Sequence, residues 1–377
     1  MRKETVDTML PFFTELYANP SSIHGMAKTP RDACNEVRRT IAGMLNANAE
    51  EIYFTSGGTE SDNWALTSSI RKGRKHIIVS SIEHHAIIET AEHLKALGVE
   101  VTYLPVDSEG KVDPKDVREA IRDDTAIISV MTANNEIGTV EPISEIGRIA
   151  HEKGILFHTD AVQAFGHIPL DVKAMNIDLL SASGHKFGGP NGIGFLYMRK
   201  GVRLDPFIRG GAQEDGRRAG TTNVPGIVGM GKAAEYCRAH MGEEAGYLKG
   251  LRDHMISRIK DEIPFCKLNG DRTDRLPGNV NFSFRFVEGE SLLMLMNMNG
   301  ICVSTGSACA SGSLDPSHVL LAIGLPHEIA HGSIRFSLSA DNTAEEVDKA
   351  VDALKASVSR LRSMSPLYED HLKKVNA

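Results

Sequence analysis

At 377 residues the chain is long enough for two domains, or for one large domain with an appendage. Its 41% hydrophobic and 24% charged content is ordinary for a globular chain, and the net charge of -7 is spread without a Lys/Arg block, so no nucleic-acid or membrane surface is indicated. The opening Met1–Asp7 lacks the apolar core of a signal peptide, no apolar run approaches the roughly 20 residues of a bilayer span, and the five cysteines (Cys34, Cys237, Cys266, Cys302, Cys309) contain no Cys-x-x-Cys pair, which argues against a disulfide framework or a cysteine-rich zinc site and for the cytosol.

Short apolar runs alternate with longer amphipathic ones over the first two-thirds of the chain. In chain order the expected strands are Glu51–Thr55, His76–Ser80, Thr125–Met131, Ile155–Asp160 and Asp178–Ser181. Helical patterns lie between them near 30–46, 60–72, 85–97, 114–122 and 143–153, with Thr29-Pro30 as a cap and first-turn signal. Strand–helix alternation at this spacing predicts an α/β domain around a mostly parallel sheet, with ligands beyond the carboxyl ends of its strands. A long helix over 225–263 is expected to lead into a smaller α+β part, with strands at 279–286 and 333–338 and helices at 290–299 and 343–363. The expected division is a large domain over 11–248, with 1–10 and 249–377 forming the small one.

Four strand ends carry polar groups where a buried strand would ordinarily turn. Thr55-Ser-Gly-Gly-Thr-Glu60 leads into a helix, and its glycines allow an anion to approach free N–H groups; taken alone, it reads better as an ordinary tight turn with a Ser/Thr cap. Ile155–Asp160 ends in a carboxylate able to keep a ring nitrogen protonated, or simply to cap a helix. In Ser181-Ala-Ser-Gly-His-Lys-Phe-Gly-Gly-Pro190, Lys186 sits in a small-residue turn that suits a Schiff-base lysine better than a solvated one. In Ser304–Ser313, Cys309 is flanked by Ser, Ala and Gly, the setting of an exposed thiol, whereas the other four cysteines read as packing residues.

Taken together and in this order, these segments resemble the cysteine desulfurases, pyridoxal-phosphate (PLP) enzymes of the class V aminotransferase group. The matching stretches are TSGGTESDN (55–63), EHHA (83–86), NNEIGT (134–139), HTDAVQ (158–163), SGHKFGGPNGIG (183–194), RRAGTTN (217–223), STGSACASGSLDPSHVL (304–320) and HGSIRFSL (331–338). The resemblance implies the aspartate-aminotransferase-like PLP fold, fold type I. It implies that Lys186 holds PLP and that Asp160 pairs with its ring nitrogen. His84 would stack on the ring and help move protons, and Gln163 would meet its phenolic oxygen with Asn135 nearby. Gly58, Thr59, Ser183 and His185 would hold the phosphate, joined by Thr221 from the other subunit of a homodimer. Arg335 would take the carboxylate of L-cysteine, a task suited to a forked guanidinium. Cys309 would receive the sulfur as a persulfide and pass it on, most naturally to an iron–sulfur scaffold protein, since Ser-Ala-Cys in a Ser/Gly-rich loop is similar to the group serving general and nitrogenase cluster assembly. No resident metal is implied; Cys309 would at most ligate a cluster transiently during transfer. His85 reads as a helix-start residue only.

His327-Glu-Ile-Ala-His331 matches the HExxH pattern of zinc proteases, but Pro326 before it and Gly332 after it leave little more than one helical turn, so a structural corner presenting Arg335 is expected. The family usually opens with a short strand and an Asn/Ala/Thr-rich turn; here the first residues match the helix that follows, Thr5–Leu16. The rival functions are a selenocysteine lyase or another class V PLP enzyme, and a non-catalytic sulfur-relay subunit. Cys309 speaks against a plain aminotransferase, and Lys186, Asp160, His84 and Cys309 together speak against a subunit without turnover.

Overall fold

The computed structural model describes residues 1–305 and 316–375, which divide into two compact units. The first comprises Met1–Pro105, Val112–Ala133 and Glu141–Met241; the second comprises Val106–Lys111, Asn134–Val140 and the chain from Gly242 onward.

In the first unit the chain runs α1 (Lys3–Met9), α2 (Pro11–Thr14), α3 (Lys28–Leu45), β1 (Ile52–Thr55), α4 (Gly58–Ser69), β2 (His76–Ser80), α5 (His85–Ala96), β3 (Glu100–Leu104), α6 (Pro114–Ala120), β4 (Thr125–Ser129), α7 (Ile143–Glu152), β5 (Leu156–Asp160), β6 (Leu179–Ser183) and β7 (Gly194–Met198). The strands form one sheet in the order β1-β7-β6-β5-β4-β2-β3. β7 pairs antiparallel with β1 and β6, and the pairs from β6 to β3 are parallel, so the sheet is mostly parallel as expected. Strands β2, β4, β6 and β7 are buried along their whole length, which explains their continuous apolar runs. Trp64, Leu66, Ile77, Ile87, Ile127 and Leu196 anchor one core of this unit. The long helix α8 (Val224–Glu262) begins here, and from Gly242 it belongs to the second unit.

The second unit adds β8 (Cys266–Leu268), β9 (Asn279–Phe284), α9 (Gly289–Met298), β10 (Ser304–Thr305), α10 (His318–Ala322), α11 (His327–Ala330), β11 (Ser333–Ser337), α12 (Ala344–Ser363) and α13 (Pro366–Val375). Its four strands form an antiparallel sheet in the order β10-β11-β9-β8, covered by a core that includes Ile256, Ile259, Phe282, Leu292, Ile334 and Leu354.

Three local expectations are corrected. Thr29 does not cap a helix: the 3-10 turn Gly25–Ala27 runs straight into α3, so Ala27 is already helical and Thr29 lies inside the first turn. Pro11 splits the expected helix over Thr5–Leu16 into α1 and α2. Residues 1–10 fall in the first unit and not with the small domain, while 106–111 and 134–140 fall in the second. The first of these placements has a visible cause. The Arg2 guanidinium stacks 3.6 Å over the Tyr236 ring, Thr5 is buried, and a Cβ on Gly229 would stand 2.5 Å from Met9 Sδ, so α1 lies directly on the start of α8.

Phe282 is fully buried in the core of the second unit. Phe282→Ala should lower stability by about 3–5 kcal/mol in chemical denaturation; a loss under about 1 kcal/mol would show that this core tolerates the cavity.

Candidate functional site

Two adjacent parallel strands, β5 and β6, deliver the central groups of the first unit at their carboxyl ends. β5 ends on Asp160, and β6 ends on Ser183 just before the 3-10 turn Gly184–Phe187 that carries Lys186. The turn is pinned from behind: Phe187 packs edge-on against Phe165 at 4.9 Å, the Cys237 thiol donates to the Phe187 carbonyl at 3.5 Å, and His167 Nε2 lies 2.9 Å from the Lys186 carbonyl. Gly189 must be glycine for a steric reason, since a Cβ there would stand 2.9 Å from the Gly184 carbonyl oxygen.

Asp160 is 5% exposed, and burial pushes its carboxyl up to about 6; the Val162 N–H, which it accepts at 2.8 Å, and the positive charge of Lys186 work in the opposite direction. Behind it lies a buried polar layer. His158, two residues earlier on the same strand, bonds Ser129 Oγ through Nδ1 at 2.8 Å and Ser181 Oγ through Nε2 at 3.0 Å. Burial lowers His158 to about 3, so it is neutral. Asp62 on α4 stands 3.6 Å from His158 Nε2, and burial together with the Asp160 charge raises it well above the ordinary carboxylate range. Glu83 is raised the same way, chiefly by burial; it accepts from Ser80 Oγ at 2.5 Å and from the Met131 N–H at 2.8 Å. Burial thus favours the protonated forms of Asp62 and Glu83, while the Val162 N–H and the Lys186 charge favour the ionised form of Asp160.

The neighbouring residues follow from the same strand ends. Gly58 opens α4, and the preceding Gly57 provides no side-chain cap, which leaves the first N–H groups of a 12-residue helix available. Ser183 Oγ lies 3.5 Å from the position a Cβ on Gly57 would occupy and 2.9 Å from His185 Nδ1, so Ser183 and His185 stand at that helix start. Thr59 is exposed in the first turn of α4. His84 is the residue that caps α5, and its Nδ1 accepts the Ala86 N–H at 3.1 Å; the ring is thereby fixed, with the proton on Nε2 in its neutral form. His85 is the first residue of α5, as read from the sequence. Gln163 is half-buried in the turn after β5.

Thr221 is exposed and lines a cavity of about 170 Å³ together with Thr55, Ser56, Glu214, Arg218 and Asn223. The paired arginines before it, which local pattern leaves unexplained, have a clear use in the fold. Arg218 grips Glu60 of α4 with two parallel bonds of 2.8 and 3.0 Å. Glu214 in turn grips Arg38 at 2.8 and 2.9 Å and accepts the Phe54 N–H, while Glu214 and Asp215 both take left-handed backbone conformations. Glu60, Arg218, Asp62, Glu83 and His158 were not singled out from the sequence. The available signal was position, since Glu60 and Asp62 lie inside the TSGGTESDN stretch, Glu83 inside EHHA and His158 inside HTDAVQ.

Asn135 and Arg335 belong to the second unit, where Arg335 Nη1 donates to the Asn135 carbonyl at 2.8 Å. The HEIAH segment forms a single turn, α11, and no group of three metal-ligating side chains gathers among the described residues. Cys309 lies outside the described residues.

The sequence model of the aminotransferase class-V family matches residues 1–350. The chain therefore belongs to the class-V aminotransferase family, a family of PLP enzymes. Curated relatives within it include cysteine desulfurases. The cysteine desulfurase IscS of Methanosarcina thermophila is 58% identical over 370 residues, covering 97% of this chain and 91% of that protein. The cysteine desulfurase IscS of Clostridium botulinum is 54% identical over 377 residues, 99% of this chain and 95% of that one. Among solved structures, a NifS-like protein superposes with a TM-score of 0.89 at 37% identity, covering 95% of this chain and 96% of that one. SspA in complex with cysteine gives 0.80 at 37% identity over 91% and 97%.

His158 supplies a pH test. Its folded-state value lies below that of an unfolded histidine, so its contribution to stability is present above the unfolded value of 6.5 and is lost as pH falls below it. His158→Asn should therefore gain stability relative to the parent on going from about pH 7.5 to about pH 5.5, followed by equilibrium denaturation. A parent-to-variant difference independent of pH would contradict a neutral, buried His158.

Proposed function

We propose that this chain is a PLP-dependent cysteine desulfurase that converts L-cysteine to L-alanine and carries the released sulfur as a persulfide on Cys309. The observation that carries the reading is the pairing of a buried, singly ionisable Asp160 with the Lys186 turn at the ends of two neighbouring strands, beside an uncapped helix start.

These groups fit the cofactor in kind. The start of α4 at Gly58 and Thr59, with Ser183 and His185, is an anion-holding set for the phosphate. Asp160 is the acid for the ring nitrogen, His84 the flat side chain for the ring face, Gln163 the donor for the phenolic oxygen, and Lys186 the amine that attaches the cofactor. When bound, PLP supplies a sink for the electron pair left at the substrate Cα.

Each remaining step belongs to a residue of the chain. Arg335 holds the α-carboxylate of cysteine, with Asn135 beside it. The Lys186 amine would remove the Cα proton and later return a proton. Asp160, in its charged form, would keep the ring nitrogen of bound PLP protonated. The Cys309 thiolate then attacks the substrate sulfur: a sulfur–sulfur bond forms, the sulfur–carbon bond breaks, and its electron pair passes to the β-carbon, which takes a proton and leaves as part of alanine.

The acceptor of the persulfide sulfur is an iron–sulfur scaffold protein, and Cys309 ligates a cluster at most in passing. Support comes from the names of the two IscS relatives. The working form is a homodimer in which Thr221 completes the partner subunit's phosphate site. The cytosol is the compartment. In support, no disulfide joins Cys34, Cys237, Cys266 and Cys302 to one another.

Lys186→Ala should remove the visible absorbance of the purified protein and abolish alanine and sulfide formation together; a coloured, active variant would overturn the cofactor assignment. Thr221→Ala should keep its fold and its dimeric state yet lose PLP faster on dialysis. A stable monomer that retains PLP and turns over, seen by light scattering, would contradict the shared site.

A further inference from the structure

Thr221 stands between two fixtures of the first unit. After it, Asn223 Oδ1 accepts the Gly226 N–H at 3.1 Å at the start of α8. Before it lies a loop, 213–220, in which Glu214 and Asp215 take left-handed conformations with φ of 49° and 55°. Residues with a side chain avoid that region unless their surroundings impose it. Here the surroundings are specific. Glu214 accepts the Phe54 N–H of β1 at 3.0 Å and the Arg38 guanidinium of α3 at 2.8 and 2.9 Å. Gln213 Oε1 accepts the Gly220 N–H at 3.2 Å, which closes the loop, and the Ala219 N–H ties it to the Ile208 carbonyl at 3.1 Å. Arg218 fastens the far end. Its Nε and Nη2 donate to the two Glu60 oxygens at 2.8 and 3.0 Å, and Glu60 Oε2 also accepts the Ser56 N–H at 2.8 Å. The side chains of Glu214 and Glu60 are only 9% and 8% exposed, so solvent screens these grips little. A strained loop fastened at both ends thus leads straight to Thr221, which is exposed.

We propose that Arg218 is a positioning residue for the cofactor phosphate of the other subunit: by locking the 213–220 loop onto Glu60 of its own chain, it holds Thr221 in place for that phosphate. This rests on the reading that Thr221 completes the partner subunit's phosphate site. A hydroxyl carried across an interface on a free loop must be ordered each time the phosphate arrives. On a loop already fixed by its own subunit, that ordering cost is met in advance and the hydrogen bond goes into retention. Through Glu60 the same arginine also reaches the Ser56 turn of its own chain, so its action across the interface separates from its local one only when the two subunits differ.

The test therefore uses heterodimers purified through two different affinity tags. One chain carries Lys186→Ala, so the visible band reports PLP held by the other, unaltered chain. Further substitutions are placed on the Lys186→Ala chain, and loss of the band is followed on dialysis. Thr221→Ala placed there should speed the loss about ten-fold or more, the worth of one hydrogen bond to a charged group. Arg218→Ala placed there should speed it about two- to ten-fold, and Arg218→Lys, which keeps the charge but not the fork, by less. Acceleration by Thr221→Ala with none by Arg218→Ala rejects the positioning role alone. No acceleration by Thr221→Ala, or tagged chains that do not co-purify, removes the shared site and the proposal with it. Acceleration by Arg218→Ala only when it sits on the chain with intact Lys186 confines its action to its own helix start and overturns the proposal. Phe282→Leu on the Lys186→Ala chain loosens the core of the second unit and should leave the rate unchanged; a loss as fast as with Arg218→Ala would assign the effect to general loosening, and the proposal fails.

Discussion

A carboxylate buried at the carboxyl end of β5 sets the terms for the rest of the site. Leaving Asp160 charged under 5% exposure costs several kcal/mol unless something offsets it. The offsets visible in the chain are one backbone N–H, from Val162, and the positive charge of Lys186 on the next strand's turn. Burial, and then the Asp160 charge, raise Asp62 above the ordinary carboxylate range, which favours its protonated form when Asp160 is ionised. His158 is neutral for the same dielectric reason, and its two ring nitrogens are occupied by Ser129 and Ser181. The Val162 N–H and the Lys186 charge thus make Asp160 the carboxylate that this layer supports in its ionised form.

Much of this was legible before any coordinates. β2 falls on His76–Ser80 as expected, and the long helix and the two central strands of the small sheet came within two residues of their bounds, because fully buried apolar runs and long amphipathic stretches carry their own signal. The strand ends bearing Thr55, Asp160 and Lys186 stood out because polar residues interrupt those runs. What escaped had weak local marks. β3, at Glu100–Leu104, is an edge strand exposed to half-exposed over most of its length, so neither alternation nor a continuous apolar run announces it. β7, at Gly194–Met198, is opened by a glycine inside a turn-rich stretch that reads as one loop with the Lys186 segment.

Other features are invisible locally because they are made by tertiary pairing. Nothing in 106–111 or 134–140 says that these short segments group with a sheet formed from residues 266–337; their bonds to Asp271, Asp274, Asn279 and Asn281 do that. The Arg217-Arg218 pair makes sense only once Glu60, 158 residues away in sequence, is placed against Arg218. The acids Asp62, Glu83 and Glu136 are likewise ordinary letters in their motifs until burial gives them displaced titration. Relatives named cysteine desulfurase at 46–58% identity, over nearly the whole chain, weigh against the plain aminotransferase reading on the shared scaffold.

The central claim is that sulfur leaves cysteine and comes to rest on one particular thiol. Intact-mass and peptide-mass analysis after brief mixing of the PLP-loaded protein with L-cysteine, without any acceptor protein or reductant, tests it most directly. The account predicts that the peptide containing Cys309 gains the mass of one sulfur atom, with alanine formed in equal amount, while the peptides of Cys34, Cys237, Cys266 and Cys302 stay unchanged. Alanine formed with no added sulfur on Cys309, or with the sulfur on one of the other four thiols, would contradict it.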